Sequence, residues 1–541
     1  TLAGPLLVRR AIDRGLQVGD RGQLNLSVGL YIAAAAAAYL TYRLAIVNLA
    51  HVGEGFLRDL RNRVFSRMLR QSLPFYDREK SGVLVSRMTS DIDSLQDLVQ
   101  FGLLMFVSAA LLLGSSAVVL AVLSWQLLLV CLVSTPLIVA ASIKFHRDSN
   151  RAYLAVRDSV GTTLTSLQEG ISGVRIVQAF ARESIEANRF ADTNRRLYRS
   201  HMDSVRIAAW YLPIIEFTGA LTTAIALGVG GLLIGVDRLT LGTVAAFVLI
   251  LQSLFGPVQQ LSQLFNLVQS ATAALNKIYE LIDEPVDIDE IAEPVALTGP
   301  GSITLENVGF AYDDESPVLT SVDLSIAAGE RLALVGPTGA GKSTLAKLVA
   351  RFYDPTVGSV LVDGVDLRTV SYQSLRSAIV VVPQEGFLFS GSILDNIRFA
   401  RPSASDEEVV AAVARIGATE IFEKLPEGLH TEVQERGSRL SAGERQVVSL
   451  ARAALVDPAI LILDEATSSI DPGTEALVER AIDALMASRT VIVIAHRLST
   501  AARCDRVGVI ADGRLVELGR HDDLIEAGRN YADLFAAWSR T

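Results

Sequence analysis

The longest uncharged stretch of the sequence decides much of what the chain can fold into. No Asp, Glu, Lys or Arg occurs between Asp97 and Lys144, whereas a helix needs only about 20 apolar residues to cross the hydrocarbon core of a bilayer. The stretch therefore predicts two membrane crossings, with a short turn near Trp125 between them. The alternative is a pair of buried helices in a soluble protein, but apolar runs of this length are rare there.

Two other regions of the sequence are also long, apolar and nearly free of charge. From residue 207 to residue 276 the only charged residues are Glu216, Asp237 and Arg238. This region predicts two more crossings, which meet at the Asp237-Arg238 turn. A fifth crossing begins near Leu24. The mean hydropathy of +0.37 is higher than that of ordinary soluble proteins and agrees with this assignment.

Arginine-rich segments of helical pattern separate the crossings on one side. They run from Arg43 to Asp97 and from Lys144 to Arg206, and the positive-inside rule places them in the cytoplasm. With the second half of the chain also cytoplasmic, five crossings leave Thr1 outside the cell. We therefore expect a further, first transmembrane helix before Thr1, of which only the outer end is included here. A protein that begins outside with five crossings is the alternative.

Charge and cysteine content exclude other classes of protein. The formal net charge is -10 and the pI is about 5.3, which argues against a nucleic-acid partner. The two cysteines, Cys131 and Cys504, lie far apart in different surroundings, so no disulfide framework is indicated. Together with the predicted membrane crossings, this makes the lipid bilayer the first partner that the sequence predicts.

An acidic segment with three prolines, "LIDEPVDIDEIAEPVALTGPGS" (Leu281 to Ser302), separates two halves of different hydropathy. Such a composition is typical of a linker. We predict a transmembrane domain with long cytoplasmic helical extensions over residues 1–282, a linker over residues 283–301, and a nucleotide-binding domain over residues 302–541.

The second half contains a phosphate-binding loop. Residues 336–343 match the pattern G-x-x-x-x-G-K-[ST], between an apolar strand-like run and a helical run, which is the context that the motif requires. Glycines let backbone N–H groups approach phosphate oxygens, Lys342 suits the β and γ phosphates, and Ser343 suits Mg²⁺. The predicted cofactors are ATP and Mg²⁺, and the predicted nucleotide-binding residues here are Gly336, Thr338, Gly339, Gly341, Lys342, Ser343 and Thr344.

Two more apolar runs end in polar residues that suit hydrolysis. The run Ile460 to Leu463 is followed by Asp464 and Glu465, and the run "TVIVIAH" ends in His496. Such aliphatic runs are typical of buried parallel strands, whose carboxyl ends carry the chemistry of open α/β sheets. Asp464 suits the Mg²⁺ shell, Glu465 suits polarisation of the attacking water, and His496 suits a γ-phosphate contact. A solvated acidic pair and a structural histidine are the alternatives.

Several motifs together carry a resemblance that covers nearly the whole chain. In the second half they are "FAY", "GPTGAGKST", "VVPQEGFLFSGSILDNI", "TEVQERGSRLSAGERQ", "ILILDEATSSID" and "IAHRLST", and in the first half "LPFYDREKSGVLVSRMTSDID", "LQEGISGVRIVQAFARE" and "LTLGTVAAFVLILQSLFGPVQQL". The sequence resembles half-transporters of the ABC exporter family, in which a six-helix transmembrane domain precedes a nucleotide-binding domain. The resemblance implies a membrane α-helical bundle plus an α/β P-loop ATPase domain. It also implies a multi-pass protein of the cell (inner) membrane, with its nucleotide-binding domain in the cytoplasm.

The resemblance further assigns roles to single residues. It implies that Tyr312 stacks on adenine, that Gln384 links the Mg²⁺ and water site to the transmembrane domain, and that Asp471 belongs to a loop between two ATP sites. The segments around residues 74–76 and 177–180 match the short coupling helices that dock on nucleotide-binding domains. The implied catalytic residues are Glu465, His496 and Gln384, and the implied metal ligands are Ser343, Gln384 and Asp464.

The stretch "LSAGERQ", Leu440 to Gln446, corresponds to the family's signature loop, which serves the P-loop of a partner chain. Ser441 and Gly443 are retained and are predicted to contact the γ-phosphate. Ala442 stands where the family usually has Gly, which is costly if the position needs φ > 0. Glu444 replaces a neutral amide and places a carboxylate near a polyanion. An intact hydrolytic set beside an altered signature loop favours a heterodimer with a second ABC half-transporter, and a homodimer that tolerates both changes is the alternative.

The predicted function is ATP-driven export of amphiphilic small molecules or lipids by alternating access, with ATP hydrolysis coupled to transport. Glu216 lies at membrane depth and is a candidate for cation recognition or for pairing with a buried arginine. A polar stripe on the last membrane helix is a candidate cavity lining, with helix–helix hydrogen bonding as the alternative. The alternatives for the whole protein are an importer of an iron–siderophore complex, and an ATP-gated channel or regulatory membrane ATPase. The stripe consists of Gln252, Gln259, Gln263, Asn266 and Ser270.

Overall fold

The computed structural model of the chain describes residues 2–313, 316–384, 386–434, 437–464, 472–495 and 498–538. The chain divides into two compact units. The first comprises Thr1–Leu69 and Ser81–Glu284, and the second comprises Arg70–Lys80 and Pro285–Thr541. The segment Arg70–Lys80 thus belongs to the second unit although in sequence it interrupts the first.

The first unit consists of helices and turns, with no strand among its described residues. Its longest helices begin or end at the short turns between the apolar runs of the sequence. The α-helices are Ala3–Arg10, Arg21–Arg70, Ser81–Ser86, Ile92–Asp97, Leu103–Leu123, Trp125–Ser172, Val174–Ala179, Glu183–Gly235 and Leu241–Asp283, and the π-helical turns are Ala11–Leu16, Arg87–Asp91 and Leu98–Gly102.

Both predicted turns are present. At the first, Ser124 has extended backbone (φ -165°, ψ 111°), and its hydroxyl accepts the N–H of Leu127 at 3.3 Å, which caps the helix that follows. At the second, one helix ends at Gly235 and the next begins at Leu241. A side-chain oxygen that accepts an N–H of the first turn is a common helix start signal. The cap at Ser124 therefore explains why a new helix begins directly after the first turn.

In the part of the chain that the structure describes, four helices are long and apolar enough to cross a membrane by length and composition. They are Arg21–Arg70, Ser81–Leu123 (which joins several shorter segments), Trp125–Ser172 and Glu183–Gly235. The helix Leu241–Asp283 carries a shorter apolar stretch, Leu241–Leu254. The side chains of Gln259, Gln263 and Asn266 lie outside the described part of this helix, so the polar stripe stays a prediction there.

Two buried contacts show how the long helices pack. Leu120, Leu127 and Phe247 come from three helices and lie in one buried apolar cluster. Farther along the chain, the rings of Phe145 and Tyr211 stack with 4.1 Å between their centroids. The helices Trp125–Ser172 and Glu183–Gly235 therefore pack side by side, as expected for long helices whose facing sides are apolar.

The described residues of the second unit form ten strands in two sheets. The four-stranded sheet has the order β2-β1-β4-β5, and the six-stranded sheet has the order β10-β9-β3-β8-β7-β6. The strands are β1 Ile303–Ala311, β2 Pro317–Ile326, β3 Arg331–Val335, β4 Val357–Val362, β5 Val365–Asp366, β6 Ile379–Val382, β7 Ile460–Asp464, β8 Thr490–Ile494, β9 Arg506–Ala511 and β10 Arg514–Gly519.

The second unit also contains α-helices and 3₁₀ helices. The α-helices of this unit are Leu73–Arg78, Lys342–Val349, Tyr372–Ala378, Ile393–Arg398, Asp406–Arg415, Thr419–Glu423, Ala442–Val456, Pro472–Met486, Leu498–Ala502, His521–Glu526 and Asn530–Trp538, and the 3₁₀ helices are Leu367–Thr369 and Gly428–His430. Residues 285–301 form no helix and no regular strand, and they lie along this unit, where the N–H of Leu297 donates to Ser374 Oγ at 2.7 Å. The exact domain boundaries stay predictions.

The six-stranded sheet fixes where the predicted site residues meet. Strand β3 runs parallel to β8 and β9, and β7 runs parallel to β6 and β8. All five residues of β8 are buried, as are the first four of β7, which explains their unbroken aliphatic sequence. The carboxyl ends of β3, β6, β7 and β8 therefore lie at one edge of the sheet. The predicted combination of a helical membrane domain and an α/β domain is confirmed.

Candidate nucleotide-binding site

The loop after β3 needs glycine at two positions. Gly336 has φ +147°, and a Cβ placed there would lie 2.0 Å from the carbonyl oxygen of Ile510. Gly341 has φ +105°, and a Cβ there would lie 2.6 Å from Leu319 Cδ2. Both backbone conformations disfavour any other residue. The loop is therefore held tightly against β9 and β2 before it enters the helix Lys342–Val349.

Lys342 is folded into this loop. Its Nζ donates to the carbonyl oxygens of Gly336 and Pro337, both at 2.9 Å, and the residue is only 6% exposed. The backbone of the loop thus encloses the ammonium group at the N-terminus of a helix, where positive potential favours phosphate. Thr338, Gly339 and Ser343 lie on the exposed side of the loop, accessible to a phosphate chain.

Tyr312 lies beside the phosphate-binding loop although the two are distant in sequence. Its hydroxyl is 3.1 Å from Thr344 Oγ1, and its ring packs edge-to-face on Phe310 with 4.9 Å between the centroids. The residue is 47% exposed, so one part of an aromatic ring remains open to solvent next to the loop. Such an exposed ring can stack on a flat base.

The predicted metal ligands and hydrolytic residues follow the strands of the same sheet edge. Asp464 is the last residue of β7 and is partly buried, and Gln384 follows β6 and is exposed. Their oxygen atoms and the hydroxyl of Ser343 are donors of the kind that Mg²⁺ prefers, so the chemistry of these residues fits this ion. Glu465, Asp471 and His496 lie outside the described residues, and their roles stay predictions.

The signature loop forms the start of a long helix. Ser441 is the N-cap of Ala442–Val456: its Oγ accepts the N–H of Glu444 at 3.2 Å, and its own N–H donates to Glu444 Oε2 at 2.7 Å. This reciprocal arrangement is a capping box. Gly443 is buried in the first turn, and Ser441 is exposed. The hydroxyl therefore lies at a helix N-terminus that is open to an anion.

The structure corrects one expectation about this loop. Ala442 is the first residue of the α-helix, so the position does not need φ > 0 and the expected backbone cost of alanine does not arise. Glu444 is held by the capping box, which gives the carboxylate a structural role that its Ser-x-x-Glu spacing from Ser441 signals in the sequence. Its negative charge near the proposed γ-phosphate position remains.

Arg452 is a residue that the motifs did not reveal. From the helix Ala442–Val456 its guanidinium donates to the carbonyl oxygens of Asn396 and Phe387, each at 2.7 Å, and to Asn396 Oδ1 at 2.9 Å. Phe387 lies three residues after Gln384. Arg452 thus ties the signature helix to the segment that follows Gln384. A lone arginine in a helix carries no sequence signal for such a role.

We expect Arg452→Met to destabilise the second unit by about 2–4 kcal/mol, because the carbonyl acceptors of Phe387 and Asn396 lose a charged donor. Urea unfolding of the full-length protein, followed by tryptophan fluorescence, measures the loss. Arg514→Met is the control, because Arg514 is an exposed residue of β10. Equal unfolding midpoints for the two variants would contradict the role assigned to Arg452.

Comparisons with known proteins agree with this architecture. Residues 1–258 match the family model of the ABC transporter transmembrane region, and residues 319–468 match that of the ABC transporter. The chain is 39% identical over 512 residues to the ABC transporter ATP-binding protein YknV of Bacillus subtilis (strain 168), covering 94% of this chain and 84% of that protein. It is 38% identical over 489 residues to the ATP-dependent lipid A-core flippase of Syntrophus aciditrophicus (strain SB), covering 90% and 81% respectively.

A solved structure supports the same conclusion. A bacterial Atm1-family ABC exporter with ATP bound matches with a TM-score of 0.84 and 30% identity, covering 99% of this chain and 96% of that one. The fold and the phosphate-binding loop define a membrane protein with a fused ATP-binding domain. The chain belongs to the ABC exporter family. The resemblance found in the sequence is confirmed. The predicted location is also confirmed: the chain spans a membrane, and the nucleotide-binding domain is cytoplasmic in this family.

Proposed function

We propose that the chain is one half of an ATP-driven exporter that moves amphiphilic small molecules or lipids by alternating access. The observation that carries the proposal is the glycine loop folded around Lys342 in a chain whose described residues also form four membrane-length apolar helices. The relative named as a lipid A-core flippase supports a lipid-like substrate. So does a relative named as a fatty acid ABC transporter in Mycobacterium bovis, at 35% identity.

Hydrolysis is assigned to the residues after the parallel strands. Glu465 polarises the attacking water, His496 contacts the γ-phosphate, and Gln384 links the Mg²⁺ and water site to the transmembrane domain. Ser343, Gln384 and Asp464 would hold Mg²⁺, which would supply positive charge to neutralise the phosphates. Asp471 lies in the loop proposed to communicate between two sites.

Each ATP site needs a second chain. Within one chain the phosphate-binding loop supplies Lys342, while Ser441 and Gly443 stand at the N-terminus of another helix and serve the loop of the partner. ATP held between two such chains closes the two nucleotide-binding domains. Loss of the γ-phosphate contacts on hydrolysis reopens them, and this cycle drives the reorientation of the membrane helices.

The partner in this proposal is a different half-transporter. Because Ala442 imposes no backbone cost, the charge of Glu444 is the one departure in the signature loop that still favours a heterodimer. A carboxylate close to bound ATP disfavours closure electrostatically, so the site completed by this chain's signature loop holds ATP more than it hydrolyses it.

The experiment is purification of the full-length chain from its native membrane, with identification of its partner, and ATPase assays in lipid nanodiscs for wild type and Glu465→Gln. We expect a related second chain at a ratio of one to one and a loss of hydrolysis of about 100-fold or more in the variant. A homodimer with robust activity would show the heterodimer to be wrong, and undiminished hydrolysis in the variant would remove Glu465 from its role.

Glu444→Gln tests the electrostatic argument separately. The glutamine amide oxygen can still accept the N–H of Ser441, so the capping box is kept while the charge is removed. We expect hydrolysis to rise by about threefold to tenfold if the carboxylate opposes closure. Glu420→Gln, on an exposed helix position, is the control, and an unchanged rate in Glu444→Gln would remove the last reason for asymmetry.

Glu216 offers a test of substrate recognition. It is exposed on the helix Glu183–Gly235, inside the segment predicted to cross the membrane. A carboxylate at membrane depth is costly, and its presence there therefore points to a function. We expect Glu216→Gln to lower transport of a cationic amphiphilic dye by at least about fivefold in proteoliposomes. Glu183→Gln, at the other end of the same helix, is the control. Unchanged transport and unchanged dye-stimulated ATPase would exclude this role.

A further inference from the structure

A short helix next to the ATP site presents an acid to two residues of the nucleotide-binding domain. The helix Leu73–Arg78 belongs to the second unit, with Leu73 against its apolar core and Phe75 only 3% exposed. Asp77 Oδ2 is 3.5 Å from Lys347 Nζ, and the same oxygen accepts a hydrogen bond from the Tyr353 hydroxyl. The acid is therefore anchored on a fixed element.

Lys347 connects this acid to the aromatic residue beside the phosphate-binding loop. Its Nζ is 5.5 Å from the ring centroid of Tyr312 and 5.4 Å from that of Tyr353. The two rings meet edge-to-face with 5.2 Å between centroids. An ammonium within about 6 Å of an aromatic ring is attracted to it, so one cation contacts both the helix acid and the Tyr312 ring.

The other end of Tyr312 is held by the loop itself. Its hydroxyl contacts Thr344 Oγ1 at 3.1 Å, two residues after Lys342. The orientation of the ring is thus set between Thr344 on one side and Lys347 with Tyr353 on the other. Lys347 also lies on the helix Lys342–Val349 that begins at the phosphate site.

We propose that Lys347 is a positioning residue that makes the affinity for ATP depend on Asp77, through the Tyr312 ring. The inference rests on the proposed stacking of Tyr312 on adenine. When Asp77 holds the ammonium, the ring is kept in place for the base. By thermodynamic reciprocity, a bound base stabilises the contact between Lys347 and the Leu73–Arg78 helix. The pair is partly exposed, 34% for Lys347 and 48% for Asp77, so the effect is moderate.

The test compares Lys347→Met and Asp77→Asn with the control Lys424→Met in full-length protein in nanodiscs. We expect each of the first two to raise the KM for ATP about fivefold while kcat stays within about twofold. The double variant should equal the single variants, because both remove the same connection. Lys347→Arg should restore most of the affinity. Inhibition by inorganic tripolyphosphate, which has no base, should be unchanged in all variants.

The outcomes separate this inference from the proposed function. If Tyr312→Ala raises the KM for ATP but Lys347→Met and Asp77→Asn do not, the connection through Lys347 is wrong and the adenine role stands. If Tyr312→Ala has no effect on the KM for ATP, the adenine role fails and the inference fails with it. A loss of tripolyphosphate inhibition equal to the loss of ATP affinity would make Lys347 a general structural residue and overturn the proposal.

Discussion

Gly336→Ala is expected to lower ATP hydrolysis by about 100-fold or more. The added Cβ would lie 2.0 Å from the carbonyl oxygen of Ile510, and φ at this position is +147°. Ile510 lies on β9, which pairs with β3 over Arg506 to Val509 and with β10 at Ile510 itself, so the carbonyl cannot move without distortion of the sheet. The loop must move instead, and a displacement of about 1 Å in a catalytic group can cost about 100-fold in rate.

Gly329→Ala is the matched control for this substitution. Gly329 also has a positive φ, +79°, but no atom lies within 4 Å of the position that a Cβ would take. It therefore adds the same kind of backbone strain, about 1 kcal/mol, without the collision and away from the nucleotide. ATPase assays of purified protein in nanodiscs measure both variants. Equal activities would contradict the tight contact between the loop and β9.

Lys342→Met is expected to remove the stabilisation of the protein by ATP. In wild type, ATP at about 100 times its Kd should add about 2.7 kcal/mol to the free energy of unfolding by mass action. The variant keeps a side chain of similar length but loses the ammonium that the loop encloses at 2.9 Å from two carbonyl oxygens. Without this charge the β and γ phosphates lose their main cationic partner in the chain.

Thermal unfolding with and without Mg-ATP measures this loss directly. The control is Lys424→Met, which removes an exposed lysine of the same domain and should keep the full upward shift of Tm with ATP. Both variants are melted first without nucleotide, which shows whether each one folds. A normal ATP-dependent shift in Lys342→Met would show that the loop binds phosphate without this residue.

The parts of the site that are local in sequence could be predicted from it. The phosphate-binding loop and the strand β7 that ends at Asp464 lie on short motifs, and the turns at Ser124 and before Leu241 follow from breaks in apolar runs. The pattern carries this information because glycine spacing and aliphatic runs reflect nearby backbone geometry. That the carboxyl ends of these strands lie at one sheet edge then follows from parallel pairing, whereas the order of the strands within the sheet does not.

Long-range contacts could not be predicted in the same way. Lys347 and Asp77 are 270 positions apart, and Arg452 and Phe387 are 65 positions apart. Neither pair has a fixed spacing that a motif could capture, since each contact depends on how separate elements pack. The backbone cost of Ala442, which requires φ > 0 at that position, does not arise for a related reason: the dihedral angle there depends on where the helix begins.

The place of Arg70–Lys80 in the second unit has a consequence for protein engineering. A gene fragment that starts at Pro285 encodes an ATPase portion that lacks Leu73 and Asp77, so part of its apolar core and the partner of Tyr353 are left bare. Such a fragment is expected to be less soluble than the same fragment supplied with a peptide spanning residues 70–80. Exchange of ATPase portions between related genes therefore needs three junctions, one on each side of Arg70–Lys80 and one before Pro285. A single junction before Pro285 would separate each ATPase portion from a piece of its own core.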